Sequence, residues 1–191
     1  MRRIIIGITG ASGVIYGIRS LELLRCCDDV ETHLVMSPAA ARTIRAETEL
    51  TPADVELLAD HRHPHADIGA SIASGSFKTD GMLVAPCSVK TLSGIANGFT
   101  DDLVTRAADV QLKERRRVVL MFRETPLHAG HIELMARATG NGAILMPPVP
   151  AFYGRPASLD ETITQSVGRG LDLLGIETGV VKRWQGQAAE D

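Results

Sequence analysis

The chain has 191 residues, 45% of them hydrophobic and 23% charged, and carries a formal net charge of −3. That length suits one α/β domain with a real core, and so slight an acidity gives neither nucleic acid nor an anionic membrane a reason to bind. Three cysteines, with Cys26 and Cys27 adjacent, offer neither a disulfide framework nor zinc-ligand spacing. The apolar run after Met1-Arg2-Arg3 breaks at Gly7 and Thr9, too short for a signal segment, and no stretch is long enough to span a bilayer. A cytoplasmic, reducing setting is expected.

In chain order, Arg3 to Thr9 reads as a buried strand, and Gly10-Ala11-Ser12-Gly13 turns it into a helix from about Val14 to Arg25. Thr32 to Met36 is the second strand. Ser37 then stands at an N-cap with Pro38 at the first helical position, and the helix runs to about Thr48. Thr51-Pro52-Ala53-Asp54 repeats that logic for a short helix ending near Ala59. Asp60 to Ser76 is polar and reads as an irregular loop. Gly81 to Ala85 is a third strand stopped by Pro86, followed by helices over Cys87 to Asn97 and Asp101 to Arg117. Val118 to Phe122 is a strand, Leu127 to Thr139 a helix, and Ala143 to Met146 a last strand. Ser158-Leu159-Asp160-Glu161 opens a helix to Leu174, closed by Gly175. Such alternation predicts a three-layer, Rossmann-like, doubly wound and mainly parallel sheet, as one domain over residues 1–191.

In such sheets ligands lie outside the carboxyl ends of the strands. Arg123 and Glu124 follow the strand Val118 to Phe122, placing a permanent cation beside a titratable acid; a surface ion pair capping the next helix is the competing reading. The first turn holds Gly7, Gly10 and Gly13, but Thr9 replaces the middle glycine of G-x-G-x-x-G. Glycines there let backbone N–H groups approach an anion, and they also suit a turn that only packs tightly. Ser37 stands where a dinucleotide fold carries an acid for the ribose, which argues against NAD and leaves a monophosphate open. Pro86-Cys87-Ser88-Val89-Lys90-Thr91 gathers two hydroxyls and an ammonium at another helix start. Cys87 reads as a packing residue, since no histidine activates it.

Arg106, Asp109 and Lys113 share a helical face at i, i+3 and i+7, either as a solvated ladder or as part of a site. His61, His63 and His65 sit in a polar stretch with Pro64 between two of them and no partner cluster, so no metal is expected. Tyr153 and Arg155 fall in a loop over the sheet edge. Arg169 lies between Gly168 and Gly170 inside a helix, where two glycines cost about 1 kcal/mol each and suggest close approach by a ligand or another chain. Trp184 sits in a polar tail suited to docking on a neighbouring subunit.

Taken in order, Gly7 to Gly13, Ser74-Gly75-Ser76-Phe77, Pro86 to Ile95, Thr105 to Val110, Leu112 to Arg116, Arg123-Glu124-Thr125-Pro126-Leu127-His128 and Met146 to Tyr153 are jointly specific. On these motifs the chain resembles the UbiX-type flavin prenyltransferases, within the wider group of flavin-binding cysteine-decarboxylase-like proteins. The resemblance implies an enzyme joining the dimethylallyl group of dimethylallyl phosphate to N5 and C6 of reduced FMN. The product, prenylated FMN, would serve UbiD-type decarboxylases, in ubiquinone biosynthesis or aromatic acid decarboxylation, and no metal would be needed. It also implies FMN contacts at Gly10, Ala11, Ser12, Ser37, Ser88, Val89, Lys90, Thr91 and Arg123. Tyr153, Arg169, Lys113 and Arg123 would hold the dimethylallyl phosphate, and Ser12, Glu47, Glu124, Lys113 and Arg106 would act in catalysis. The family assembles as trimers that build a dodecamer, so the tail from about residue 176 would pack on a neighbouring copy. Gly154 departs from the family, which commonly has histidine after the tyrosine and so a bulkier lid. Two rivals are an FMN-dependent cysteine-type decarboxylase, disfavoured by the lack of histidine between Ser37 and Asp60, and a non-catalytic flavin-binding subunit, which would not need the phosphate-binding cations.

Overall fold

The structure, a computed structural model, describes residues 1–186. Six strands form one parallel sheet: β1 (Arg2–Ile8), β2 (Val30–Met36), β3 (His61–His63), β4 (Gly81–Cys87), β5 (Arg117–Phe122) and β6 (Ile144–Leu145). Their order is β3-β2-β1-β4-β5-β6, so the winding reverses between β1 and β4. Seven helices connect and cover them: α1 (Ile15–Leu24), α2 (Pro38–Glu47), α3 (Pro52–Glu56), α4 (Val89–Asn97), α5 (Leu103–Lys113), α6 (Ala129–Gly140) and α7 (Leu159–Leu173).

Because side chains alternate along a strand, the buried run of β1 serves two cores. Ile4, Ile6 and Ile8 join Leu83, Val119 and Met121 beneath α1 and α7. Ile5 joins Val35, Val84 and Leu120 beneath α4, α5 and α6. All of these side chains are fully buried, each contributing about 1.5–3 kcal/mol over an exposed position. The expected caps form: Ser37 accepts from the Ala40 N–H, and Thr51 and Asp54 make a reciprocal capping box. Ser158 accepts from the Glu161 N–H, while the Glu161 carboxylate reaches back to the Ala157 N–H.

Two expectations need correction. The segment from Asp60 to Ser76 is not wholly irregular: His61–His63 pairs with β2 as an edge strand, and Ser71–Ala73 forms a 3₁₀ turn. Three polar residues paired on one side carry no alternating pattern to announce a strand. Nor does Pro86 stop β4, which continues to Cys87 through a register shift between Val84 and Cys87. Proline removes one donor from the ladder, and the irregularity accommodates that loss. Among the described residues, no helix is long and apolar enough to cross a membrane.

Candidate active site

At the winding reversal, the carboxyl ends of β1, β4 and β5 meet. Thr9, fully buried just after β1, ties the first two together: its Oγ1 donates to the Pro86 carbonyl (2.6 Å) and accepts from the Ser88 N–H (2.9 Å). The Arg123 N–H donates to the Cys87 carbonyl (3.1 Å), anchoring the exit of β5 to that of β4. Three strand ends are thus tied together by the Thr9 hydroxyl and backbone groups.

The first turn is built to accept an anionic oxygen. The Gly13 and Val14 N–H groups point at Oε2 of Glu47, at 2.7 and 3.3 Å, so a carboxylate from the end of α2 lies at the start of α1. Gly13 has φ +95°, a left-handed conformation that favours glycine. A Cβ at Gly10 would stand 2.3 Å from the Ala39 Cβ, so this turn abuts α2 with no room for a side chain. The Arg123 side chain leans over the same turn, its Cδ 3.2 Å from where a Gly13 Cβ would be. Burial pushes the Tyr16 phenol up, with the Arg123 guanidinium opposing. Ser12 is exposed and Ala11 half-buried here, while Ser37 and Ser88 cap α2 and α4 beside the turn's neighbours. Ser88 and Thr91 hydroxyls bond at 3.1 Å, and Val89 is half-buried behind them. Lys90 turns its ammonium instead to Asp101 and Asp102, at 3.9 and 3.7 Å. A donor-rich turn, two serine caps and an overhanging guanidinium fit a phosphate-bearing planar ligand such as FMN.

The remaining cations lie elsewhere. Arg106 pairs with Asp109 (3.0 Å), but Lys113 pairs with Glu114 beside Gly75, so the three residues do not form one continuous ladder. Tyr153 and Arg169 share a cavity of about 250 Å³ with Val181, Arg183 and Trp184. There Asp172 holds both Arg169 (2.7 Å) and Arg183 (3.0 Å), and Tyr153 meets Trp184 edge-on at 5.9 Å. Trp184 therefore docks on its own chain's tyrosine while remaining 59% exposed. Glu124, exposed, accepts from the Thr125 N–H (2.9 Å). Among the described residues, no hydrogen bond or ion pair joins the Arg123 turn, the Arg106–Lys113 face and the Tyr153–Arg169 cavity.

The flavoprotein family model matches residues 1–152. A flavin prenyltransferase, UbiX of Escherichia coli K12, is 57% identical over 188 residues, covering 97% of this chain and all of its own. The chain belongs to the flavin prenyltransferase family.

Two solved members of similar shape bear on the site. AnUbiX (PadA1), solved with FMN and dimethylallyl pyrophosphate, superposes with TM-score 0.95 at 52% identity, covering 98% of this chain and 99% of its own. A dodecameric FMN-dependent UbiX-like decarboxylase from Escherichia coli O157:H7 gives TM-score 0.94 at 49% identity, covering 96% and 100%. Within this flavin prenyltransferase fold, sequence reasoning passed over Thr9, treating it as an interruption of a glycine pattern. A hydroxyl at the buried end of a strand, with no water to satisfy it, was the available signal. Tyr16 and Asp172 were also missed; each needs tertiary contacts to be seen.

Cys87 is fully buried and its thiol is pushed well above the ordinary range by that burial, so it is a packing group. A thiol reagent applied to the native protein is expected to modify exposed Cys26 and leave Cys87 unmodified until denaturant is added. Quantitative native labelling of Cys87, read by peptide mass spectrometry, would contradict this.

Proposed function

We propose that the protein is a metal-independent flavin prenyltransferase that joins the dimethylallyl group of dimethylallyl phosphate to reduced FMN. The observation that carries this is the first turn, where backbone donors already hold a carboxylate and Arg123 crosses over from β5. Reduced FMN supplies the nucleophilic N5 and C6 positions. Gly10, Ala11, Ser12, Ser37 and residues Ser88 to Thr91 line its place, and Arg123 bridges it to the phosphate.

Allylic C–O cleavage leaves negative charge on the departing phosphate, and fixed cations are the groups that stabilise it. Arg106, Lys113, Arg123 and Arg169 supply that charge, and Tyr153 donates a hydrogen bond. Ring closure at C6 breaks the prenyl double bond, which takes up a proton from the departed phosphate, and releases the C6 proton, which Glu124 accepts with help from Ser12 or the phosphate. Glu47 holds the turn until the ligand arrives. Since the three groups are separate within one chain, the complete site lies between copies in a trimer-based dodecamer, with the tail from residue 176 contributing to the contact. Residues 187–191 of that tail lie outside the described residues. The whole chain acts as one flavin-binding domain in the cytoplasm, and a UbiD-type decarboxylase receives the prenylated FMN. Gly154 leaves the lid over Tyr153 less bulky than a histidine would.

Anaerobic incubation with reduced FMN and dimethylallyl phosphate, followed by mass spectrometry of the released flavin, is expected to show a gain of one prenyl unit. Bound but unmodified FMN would favour a flavin-dependent decarboxylase or a flavin carrier.

A further inference from the structure

The parallel register of the edge strands stacks polar side chains on the face that carries α5. Arg3 is opposite Glu31, His33 opposite His61, and Val35 opposite His63, and paired residues in parallel strands point the same way. Val35 belongs to the core on that face, so Glu31, His33, His61 and His63 extend the same surface to the sheet edge. The sequence alone offered the histidines of β3 without partners; β2 provides them.

The contacts are close. His33 is buried, with Nε2 2.9 Å from the Glu31 Oε1 and Nδ1 3.0 Å from the His63 Nε2. His61 places its Nε2 3.8 Å from the same Glu31 oxygen, and one ligand atom from each of Glu31, His33 and His61 lies within 4.8 Å of the others. His65 is engaged elsewhere, 3.5 Å from Asp102.

We propose that Glu31, His33 and His61 form a divalent transition-metal site of the zinc class, with His63 orienting His33. Zinc bound at about 2.0–2.2 Å to nitrogen and oxygen brings neighbouring ligand atoms to roughly 3–3.5 Å; the Glu31 oxygen stands 2.9 Å from His33 and 3.8 Å from His61, so His61 has to close in on the other two. Two imidazoles and a carboxylate suit zinc, nickel or cobalt, and three protein ligands leave a position for water. A metal-bound histidine commonly donates its other ring N–H to a fixed acceptor, and His63 Nε2 stands in that position. Without the ion, His33 Nε2–H donates to Glu31; binding moves that proton to Nδ1, which then donates to His63 Nε2, and frees Nε2 for the ion.

Two features must adjust. Arg3 Nε donates to the same Glu31 oxygen at 2.9 Å and has to yield it, while its Nη1 already reaches toward the Lys78 carbonyl at 3.5 Å. The rings of His33 and His61 are stacked, with centroids 4.7 Å apart, so His61 must turn its nitrogen inward. Its side chain is 52% exposed and free to do so. The bound ion would fasten the three-residue edge strand β3, paired only with β2, to the sheet.

Tag-free, chelator-treated full-length protein titrated with Zn²⁺ by calorimetry should bind one ion per chain. Co²⁺ should give the visible bands of a low-coordinate site. His61→Ala is expected to weaken binding at least tenfold, and His63→Ala, which removes the orienting partner, by about 10–100-fold. Amide exchange over residues 61–63 should slow when Zn²⁺ is added. Prenyl transfer should be unchanged by His61→Ala, since the cluster is separate from the flavin turn. Absence of a stoichiometric ion, or an ion whose affinity is unaffected by His61→Ala, would overturn the proposal.

Discussion

Glu124→Gln is expected to slow prenyl transfer by about 10²–10⁴-fold, the range associated with loss of a positioned general base. Glutamine keeps the side-chain oxygen that accepts from the Thr125 N–H at 2.9 Å, so the local backbone at the end of β5 is preserved. What disappears is the ability to take a proton when the ring closes at C6. Arg123, whose backbone is anchored to Cys87 and whose side chain overhangs the first turn, is untouched, so FMN should still bind within a few-fold of the parent affinity. Single-turnover absorbance under anaerobic conditions, with parallel flavin titration, separates the two effects. A variant that forms both new bonds at the parent rate would remove Glu124 from the proton transfer and leave that role to the phosphate or Ser12.

The elements legible in the sequence are those whose signals are local. Ser37-Pro38, the Thr51–Asp54 box and Ser158 sit next to the N–H groups they satisfy, and each forms as expected. The two-sided burial of β1 was visible because Ile4, Ile5 and Ile6 leave no face for solvent. β3 was not legible, because His-Arg-His becomes a strand only when β2 offers its edge. Pro86 misled for a related reason: its cost depends on whether the ladder can absorb a lost donor, which sequence does not state.

The site follows the same division. Arg123 and Glu124 could be placed at a strand end from the apolar run before them. The meeting of Glu47 with Gly13 spans 34 positions and could not be read from spacing. Lys113 was grouped with Arg106 by helical periodicity, yet its neighbour Glu114 captures it. Periodicity sets which face a residue occupies; the nearest opposite charge sets where a long flexible side chain ends. The motifs shared with the family carried the grouping of residues that the single chain holds apart.

Gly17→Ala is expected to destabilise the fold by roughly 1–3 kcal/mol and lower Tm by about 2–12 °C. Helical propensity alone predicts the opposite, since alanine gains about 1 kcal/mol over glycine inside a helix. Packing overrides it here. A Cβ at Gly17 would stand 2.3 Å from the Ala85 carbonyl oxygen and 2.7 Å from the Ile8 Cγ1, and a backbone carbonyl in a central strand cannot rotate away. Helix α1 must therefore retreat from β4. Ile8 and Ala85 directly precede Thr9 and Pro86, whose hydrogen bond closes the strand ends around the first turn, the proposed flavin site. The displacement is then felt at the site, and FMN affinity should fall along with Tm. Gly140→Ala is the matched control, at the end of α6 with nothing within 4 Å of the added carbon, and should leave both quantities unchanged or slightly raised. If Gly17→Ala raises Tm as Gly140→Ala does, the close approach of α1 to β4 is not a constraint on the fold, and the coupling from helix packing to the flavin turn fails with it.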